Sequence, residues 1–116
     1  MKNVFNAVRP LCTAAFVGLF AFGAWAQTAE PEVLLVIKNH RFDPAEVKVP
    51  AGKRVKLVVH NQDSTPEEFE SHSLGREKVI PGGAKATLFV GPLKPGRYTF
   101  FGEYNEKTAK GAVVAE

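Results

Sequence analysis

From Val33 onward, the chain consists of short apolar or alternating runs that are interrupted by Pro, Gly, Asn and Asp. No long stretch of this region repeats its apolar residues at the 3.6-residue period of an α-helix. Short runs bounded by turn-forming residues are typical of β-strands. The pattern therefore predicts an all-β domain, and the regular spacing of the turns favours a Greek-key β-sandwich.

Eight strands are predicted from these runs. In chain order they cover residues 33–38, 47–49, 55–60, 68–71, 78–80, 86–90, 97–101 and 112–115. Turns are predicted at residues 50–53, 81–83 and 92–96, where Pro and Gly cluster. The sequence contains no internal repeat and no sign of a second domain.

The first 26 residues have the composition of an export signal. Lys2 and Arg9 make the start positive, residues 11–25 are almost wholly apolar, and residues 24–26 fit a small-x-small cleavage site. The apolar stretch is shorter than the roughly 20 residues of a spanning helix, so a retained membrane anchor is the less favoured alternative. We expect a cleaved signal peptide over residues 1–26, a flexible lead-in over 27–32 and one domain over 33–116, located in the periplasm.

Sulfur is absent from the predicted domain. Cys12 is the one cysteine and Met1 the one methionine, and both lie in the predicted signal peptide. A blue-copper centre needs a Cys thiolate and usually an axial Met, so this class of site is excluded. The remaining metal donors are oxygen and nitrogen atoms, which favour harder ions.

The charge of the predicted domain is nearly balanced. The chain has 15 Lys and Arg against 12 Asp and Glu, and two of the basic residues, Lys2 and Arg9, belong to the predicted signal peptide. A balanced domain of this kind lacks the basic surface with which proteins bind polyanions. We expect no nucleic-acid partner.

Five segments of the predicted domain stand in a characteristic order. They are Phe42-Asp43-Pro44, Val47-Lys48-Val49-Pro50-Ala51-Gly52, the strand at 55–61, Pro95-Gly96-Arg97-Tyr98-Thr99-Phe100 and Gly111-Ala112-Val113-Val114. Together they resemble the cupredoxin fold, and the resemblance covers nearly all of the predicted domain. In electron-transfer cupredoxins, a His follows the strand equivalent to 55–61, and Cys, His and Met follow the strand equivalent to 98–101. Here residues 65–70 supply carboxylates instead, Gly102 stands at the Cys position, and residues 103–110 contain neither His nor Met. Blue-copper function therefore does not carry over.

The predicted domain also contains the acidic triplet Glu68-Phe69-Glu70 and, downstream, Glu77, which precedes Ile80-Pro81-Gly82. In these residues the chain is similar to cupredoxin-like periplasmic proteins of bacterial ferrous-iron uptake. It implies binding of iron, copper or both, and work alongside an inner-membrane iron permease and other periplasmic iron-uptake components. Oxidation of Fe(II) to Fe(III) before delivery is a hypothesis within this interpretation. The sulfur ligand that some family members use is replaced here by Phe42 and Gly102.

The acidic triplet has a spacing suited to a metal site. Side chains at i and i+2 of a strand share a face, so Glu68, Glu70 and His72 are predicted to point one way while Phe69 enters the core. Adjacent carboxylates repel each other, and a cation relieves the repulsion. The alternative is that residues 67–70 form the solvated face of an edge strand, where charges discourage aggregation.

Two further residues are candidates because of their place in the resembling fold. Glu103 follows the run at residues 100–102, where the strand turns toward the metal end of the sandwich, and His40 lies in a predicted turn over residues 39–42 near the same end. His60 is assigned a structural role. The predicted metal ligands are Glu68, Glu70, Glu77, Glu103, His40 and His72, and we expect them to converge at one end of the sandwich.

Two other functions remain open from the sequence. A non-redox carrier of copper or another divalent metal would use the same residues, because the Irving–Williams order favours Cu(II) over Fe(II) at sites with nitrogen and oxygen donors. A metal-free interaction module would use the sandwich to dock a permease or another exported protein. A nucleophilic enzyme is not indicated, since Ser71-His72-Ser73 has no identifiable orienting acid.

Overall fold

The computed structural model describes Gly18 and residues 29–116, so the predicted signal peptide, apart from Gly18, and the start of the lead-in lie outside the described residues. Residues 29–116 form nine strands and one 3-10 turn at Glu103–Asn105. The strands are β1 (Glu32–Lys38), β2 (Arg41–Asp43), β3 (Glu46–Val49), β4 (Val55–Asn61), β5 (Glu67–Ser71), β6 (Arg76–Ile80), β7 (Lys85–Val90), β8 (Gly96–Gly102) and β9 (Lys110–Ala115).

The strands form two sheets. One sheet has the order β2-β1-β4-β7, and the other has the order β3-β9-β8-β5-β6. The pairs β1–β4 and β3–β9 are parallel, and the remaining neighbours are antiparallel. This is the predicted all-β sandwich, and all eight predicted strands are confirmed to within about two residues at each end.

The core lies between the two sheets because β-branched and aromatic residues alternate with polar ones along the strands. Burial alternates along β4, where Val55, Leu57 and Val59 are fully buried. Three aromatic rings pack against one another in the core at β5, the strand that carries Glu67, Glu68 and Glu70. Phe100 lies 4.9 Å from both Phe42 and Phe69, measured between ring centroids. The predicted core position of Phe69 is confirmed, and Phe42 is part of the same aromatic cluster.

The turn between β1 and β2 shows why sequence patterns missed β2. The sequence predicts a turn over residues 39–42, but only Asn39 and His40 form it, and both have left-handed backbone angles. The Asp63 carboxylate accepts hydrogen bonds from the backbone N–H groups of Asn39 at 2.8 Å and His40 at 3.0 Å. β2 then pairs with β1 over three residues, which is too short to produce an alternating pattern.

In the described part of the chain there is no helix with the length and hydropathy needed to cross a membrane.

Candidate metal centre

The acidic strand β5 lies inside the five-stranded sheet. It pairs with β6 on one side and with β8 on the other. Glu67 is 1% exposed and Glu68 is 6% exposed. The alternative that residues 67–70 form the solvated face of an edge strand is therefore wrong, since the edge position belongs to β6.

The side chains of β5 divide between the two faces of the sheet as predicted from their spacing. Phe69 enters the core, so Glu68 and Glu70 face outward. Glu70 lies directly opposite Glu77 of β6 and next to Phe101 of β8. Side chains of directly opposed residues share a face, so Glu68, Glu70 and Glu77 converge on the outer face of the five-stranded sheet.

Glu103 completes the acidic cluster. The 3-10 turn at Glu103–Asn105 directly follows β8 and folds over β5. One carboxylate oxygen from each of Glu68, Glu70 and Glu103 lies within 4.8 Å of the other two. We call these three residues the carboxylate triad. Three predicted ligands are thus brought together from β5 and from the turn after β8.

An unsatisfied oxygen lies within the triad. Glu68 Oε1 is buried and has no hydrogen-bond partner. Ionised carboxylates only accept hydrogen bonds, so the neighbouring Glu70 and Glu103 cannot satisfy this oxygen unless a proton or a cation lies between them. A buried polar atom without a partner is destabilising. The triad is therefore suited to receiving a cation.

The pKa shifts of Glu68 and Glu70 reflect this crowding of negative charge. The neighbouring carboxyl groups of Glu77 and Glu103, followed by burial, raise the pKa of Glu68 to about 8. Burial first, and then Glu103 and Glu77, raise the pKa of Glu70. Without a cation, the cluster thus retains a proton near neutral pH.

Lys and Arg side chains do not neutralise the triad. In the described residues, their salt bridges are made with Glu30, Glu32, Glu46 and Glu116, all outside the cluster. The nearest basic group is His72, whose Nε2 atom lies 3.9 Å from Glu70 Oε1. His72 is exposed in the turn after β5 and also lies beside Phe101, with ring centroids 5.7 Å apart. It is placed to add a nitrogen donor at the edge of the triad.

The remaining predicted ligand, His40, does not join the triad. Among the described residues, the one group of three or more candidate donors is Glu68, Glu70 and Glu103. His40 lies in the β1–β2 turn and lines a cavity of about 470 Å³ together with Glu103 and Tyr104. Its carbonyl oxygen accepts a hydrogen bond from the Thr108 hydroxyl.

Tyr104 is the aromatic neighbour of the triad. Burial, followed by the charges of Glu68 and Glu103, raises its pKa. The residue is nonetheless 51% exposed. The phenol therefore stays protonated at neutral pH, beside carboxylates that lack hydrogen-bond donors.

Glu67 is a residue beside the triad that the sequence pattern does not single out, because it lies in a run of charged residues. Its carboxylate faces inward because it has the same parity as Phe69. Oε1 accepts hydrogen bonds from the backbone N–H groups of Glu68 and Tyr104, each at 3.0 Å. Oε2 accepts one from the Asn105 side chain at 2.6 Å. The spacing of Glu67 and Phe69 is the signal in the sequence that indicates this role. A Glu on the same face of a strand as a core Phe is buried, and its carboxylate then needs hydrogen-bond donors within the protein.

The space around Gly102 excludes a blue-copper arrangement independently of the missing sulfur. A Cβ atom at this position would lie 2.7 Å from Glu67 Cδ and 2.7 Å from Ala109 Cβ. The Glu67 carboxylate thus occupies the volume that a side chain at the expected Cys position would need. Phe42, the other expected sulfur position, is packed in the core. The residues fit a hard cation held by oxygen atoms at the triad, and they do not fit a blue-copper centre.

One relative by sequence is an uncharacterized protein, RP394, of Rickettsia prowazekii (strain Madrid E). It is 43% identical over 83 residues, which are 72% of this chain and 66% of the relative. The matched part of the chain thus spans just under two thirds of that relative's length.

Solved structures with the same fold include two proteins that are described by their copper and a third, amicyanin. The metal-binding domain of the Cu(I)-exporting P-type ATPase CopA of Streptococcus pneumoniae D39 has a TM-score of 0.65 and 16% identity, over 73% of this chain and 84% of that chain. Auracyanin A, a blue copper protein of Chloroflexus aurantiacus, has a TM-score of 0.65 and 11% identity, over 76% of this chain and 100% of that chain. Amicyanin of Paracoccus versutus has a TM-score of 0.58 and 18% identity, over 78% and 87%.

These structural similarities establish the fold alone, because the identities are low. The family profile described as "Cupredoxin-like domain" matches residues 11–115, which is nearly the whole chain. The protein therefore belongs to the cupredoxin-like domain family.

Proposed function

We propose that this protein binds a metal cation at the carboxylate triad of Glu68, Glu70 and Glu103, and that its cation in the cell is iron. The observation that carries this proposal is the buried, unpartnered Glu68 Oε1 beside two further carboxylates. Oxygen atoms from three carboxylates form a hard donor set, which suits cations that prefer oxygen. Glu77 adds negative charge beside the triad, because it lies opposite Glu70.

The role that we propose is periplasmic iron acquisition. The similarity of the Glu68-Phe69-Glu70 triplet and Glu77 to cupredoxin-like proteins of ferrous-iron uptake supports iron over other hard cations. The outward-facing triad is compatible with transfer of iron to a partner, because the site lies on the surface of the sheet and not between the sheets. The proposed partners are an inner-membrane iron permease and other periplasmic iron-uptake components.

Oxidation of the bound iron is a second part of the proposal. Carboxylate ligands stabilise Fe(III) relative to Fe(II), so binding at the triad favours loss of one electron from each Fe(II). Dioxygen is the proposed acceptor, and it takes up four electrons and four protons to form water. In this proposal, the triad supplies the ligands for iron, and Tyr104 supplies a protonated phenol beside them.

Calorimetry tests the binding step, with Fe(II) titrated anaerobically into chelator-treated protein. We expect saturable binding by the wild-type protein and its loss in Glu68→Gln, which keeps the shape of the side chain but removes its charge. Admission of oxygen then tests the oxidation step. If Fe(III) forms faster with the wild-type protein than in buffer or with Glu68→Gln, the oxidation step is supported. If the rates are equal, the oxidation step is contradicted and only the binding step stands.

A copper carrier is the second candidate, and the placement of His72 beside Glu70 favours it. Imidazole nitrogen suits copper, and Cu(II) binds more tightly than Fe(II) at mixed nitrogen and oxygen sites. Competition calorimetry with Fe(II), Cu(II), Mn(II) and Zn(II) distinguishes the candidates. No heat from any of these ions would contradict both and would favour a metal-free interaction module.

A further inference from the structure

The three carboxylates of the triad repel each other, so their convergence requires a restraint from outside the triad. Glu68 and Glu70 are fixed by the hydrogen bonds of β5, which lies between two strands. Glu103 has no such support, because the pairing of β5 with β8 ends at Gly102. The conformation of the turn after β8 therefore decides whether Glu103 reaches the triad.

Glu67 connects this turn to β5. In the described residues, the side-chain hydrogen bonds between β5 and the turn all involve the Glu67 carboxylate, which binds the backbone N–H of Tyr104 and the side chain of Asn105. The same carboxylate also accepts a hydrogen bond from the backbone N–H of Glu68. The buried Glu67 carboxylate thus accepts hydrogen bonds from the backbone of Glu68 and from that of Tyr104, the residue after Glu103.

The turn itself is held in shape by its own backbone. The carbonyl of Asn105 accepts hydrogen bonds from the N–H groups of Thr108 at 3.1 Å and Ala109 at 2.8 Å, and Gly102 N–H donates to the Ala109 carbonyl at 2.9 Å. These bonds lie within residues 102–109 and do not attach the turn to β5. Loss of the Glu67 carboxylate would therefore leave a folded turn that is still attached to His40 through Thr108 but has no side-chain hydrogen bond to β5. The repulsion of Glu68 and Glu70 would then displace Glu103 from the triad.

We propose that Glu67 is a positioning residue of the metal site, which holds Glu103 in the triad through the N–H of Tyr104 and the side chain of Asn105. This inference rests on the proposed function, since it concerns the same carboxylates. Glu67 does not contact the cation. Its carboxylate faces the interior, next to Gly102 and Ala109, whereas the triad lies on the outer face of the sheet.

A double-mutant cycle with Mn²⁺ as the probe tests this role. Glu103→Gln is expected to weaken Mn²⁺ binding about tenfold in the wild-type background, and Glu67→Ala is expected to do the same by releasing the turn. If Glu67 positions Glu103, Glu103→Gln costs less than about threefold when Glu67 is already Ala. An undiminished tenfold cost in the Glu67→Ala background would overturn the inference, because Glu67 would then affect only the stability of the domain.

Asn105→Ala provides a second background if Glu67→Ala fails to fold. It removes one hydrogen bond to the Glu67 carboxylate and leaves the backbone bonds of Asn105 in place. The cost of Glu103→Gln is again expected to shrink in this background, and an unchanged cost contradicts the inference.

Glu67→Gln is the matched control for charge. Its amide oxygen can accept both backbone N–H groups, and the Asn105 amide can rotate to accept the new N–H donor. Mn²⁺ affinity within about threefold of wild type supports positioning. A loss as large as that of Glu67→Ala would show that the charge of Glu67 acts directly on the cation, and would overturn it. Wild-type protein that binds no cation would instead contradict the proposed function itself.

Discussion

Glu68 and Glu103 come from separate elements, yet their carboxylate oxygens lie within 4.8 Å of each other in the carboxylate triad. Glu68 is provided by an interior strand and Glu103 by the 3-10 turn that folds over it. Their contact buries Glu68 and leaves its Oε1 atom without a partner. The domain therefore maintains a local electrostatic conflict that a cation or a proton relieves.

Glu68→Gln is expected to stabilise the metal-free protein. The glutamine amide donates hydrogen bonds to the carboxylates of Glu70 and Glu103, so the repulsion and the unpartnered acceptor disappear together. We expect a higher melting temperature in the presence of a chelator, and about tenfold or greater loss of Mn²⁺ affinity, because fewer charged ligands remain. Thermal unfolding with and without Mn²⁺ measures both effects. A lower melting temperature in chelator would argue against the conflict described for the triad.

The stability of the metal-free protein is expected to fall as the pH rises from about 4.5 toward 8. The pKa of Glu68 is raised from its ordinary value of 4.5 to about 8 in the folded state, so the folded protein binds more protons than the unfolded chain in this range. Stability therefore decreases with increasing pH, and the contribution is fully present only below the ordinary value. Urea unfolding at pH 5, 6, 7 and 8 checks this slope.

Two other carboxylates serve to separate this effect from ordinary acid unfolding. The hydrogen bonds from His40 and Asn39 lower the pKa of Asp63, and Arg97 lowers the pKa of Glu46. Their stabilisation is present above their ordinary pKa values and is lost only as the pH falls further. Glu68→Gln is expected to reduce the change in the free energy of unfolding between pH 5 and 8. The loss of stability at lower pH is expected to be the same as in the wild-type protein. An identical slope in this variant would assign the pH dependence to other groups.

His72→Ala is expected to weaken Cu(II) binding by several-fold while leaving Mn(II) binding nearly unchanged. The imidazole lies 3.9 Å from the Glu70 carboxylate, and nitrogen donors favour copper far more than manganese. His40→Ala is the matched variant, since His40 is also exposed but lies outside the triad. Calorimetry of both variants with both ions checks the assignment. Equal losses in the two variants would show that proximity to Glu70 does not determine copper binding.

Gly102→Ala is expected to destabilise the domain by about 1–3 kcal/mol, because its new methyl group overpacks a filled site. The Cβ atom would lie 2.7 Å from both Glu67 Cδ and Ala109 Cβ. Gly96→Ala in the same strand is the control, since the nearest atom to its Cβ lies at 3.7 Å, and its cost is expected to stay within about 0.5 kcal/mol. Chemical denaturation of both variants measures the difference. Equal costs would mean that Glu67 and Ala109 do not fill the space beside Gly102.

Phe69→Leu is expected to cost about 1–2 kcal/mol, since it removes the ring contact with Phe100 and leaves unfilled volume. Phe69 lies between Glu68 and Glu70 in the sequence, but its side chain is fully buried in the core. Its ring centroid lies 4.9 Å from that of Phe100. Phe101→Leu, on the half-buried outer side of β8, is expected to cost less. Urea unfolding at pH 7 compares the two. A greater loss in Phe101→Leu would contradict the assignment of the core to the Phe69 face.

The alternating runs and turn residues were sufficient for the all-β class, for eight of the nine strands in residues 29–116, and for the opposite directions of Phe69 and its flanking glutamates. These are local properties, because strand formation and side-chain parity depend on neighbouring residues. The absence of cysteine and methionine from residues 33–116 likewise excluded a blue-copper centre without any knowledge of the fold.

Tertiary structure alone decided that β5 lies inside its sheet, that Glu67 is buried, and that Glu103 joins Glu68 and Glu70 while His40 does not. Each of these depends on strand order and on a turn that is attached across a large separation in sequence. A run of glutamates has the same local pattern on an edge strand as on a buried one. Its chemistry changes only when neighbouring strands exclude water and bring further carboxylates within reach.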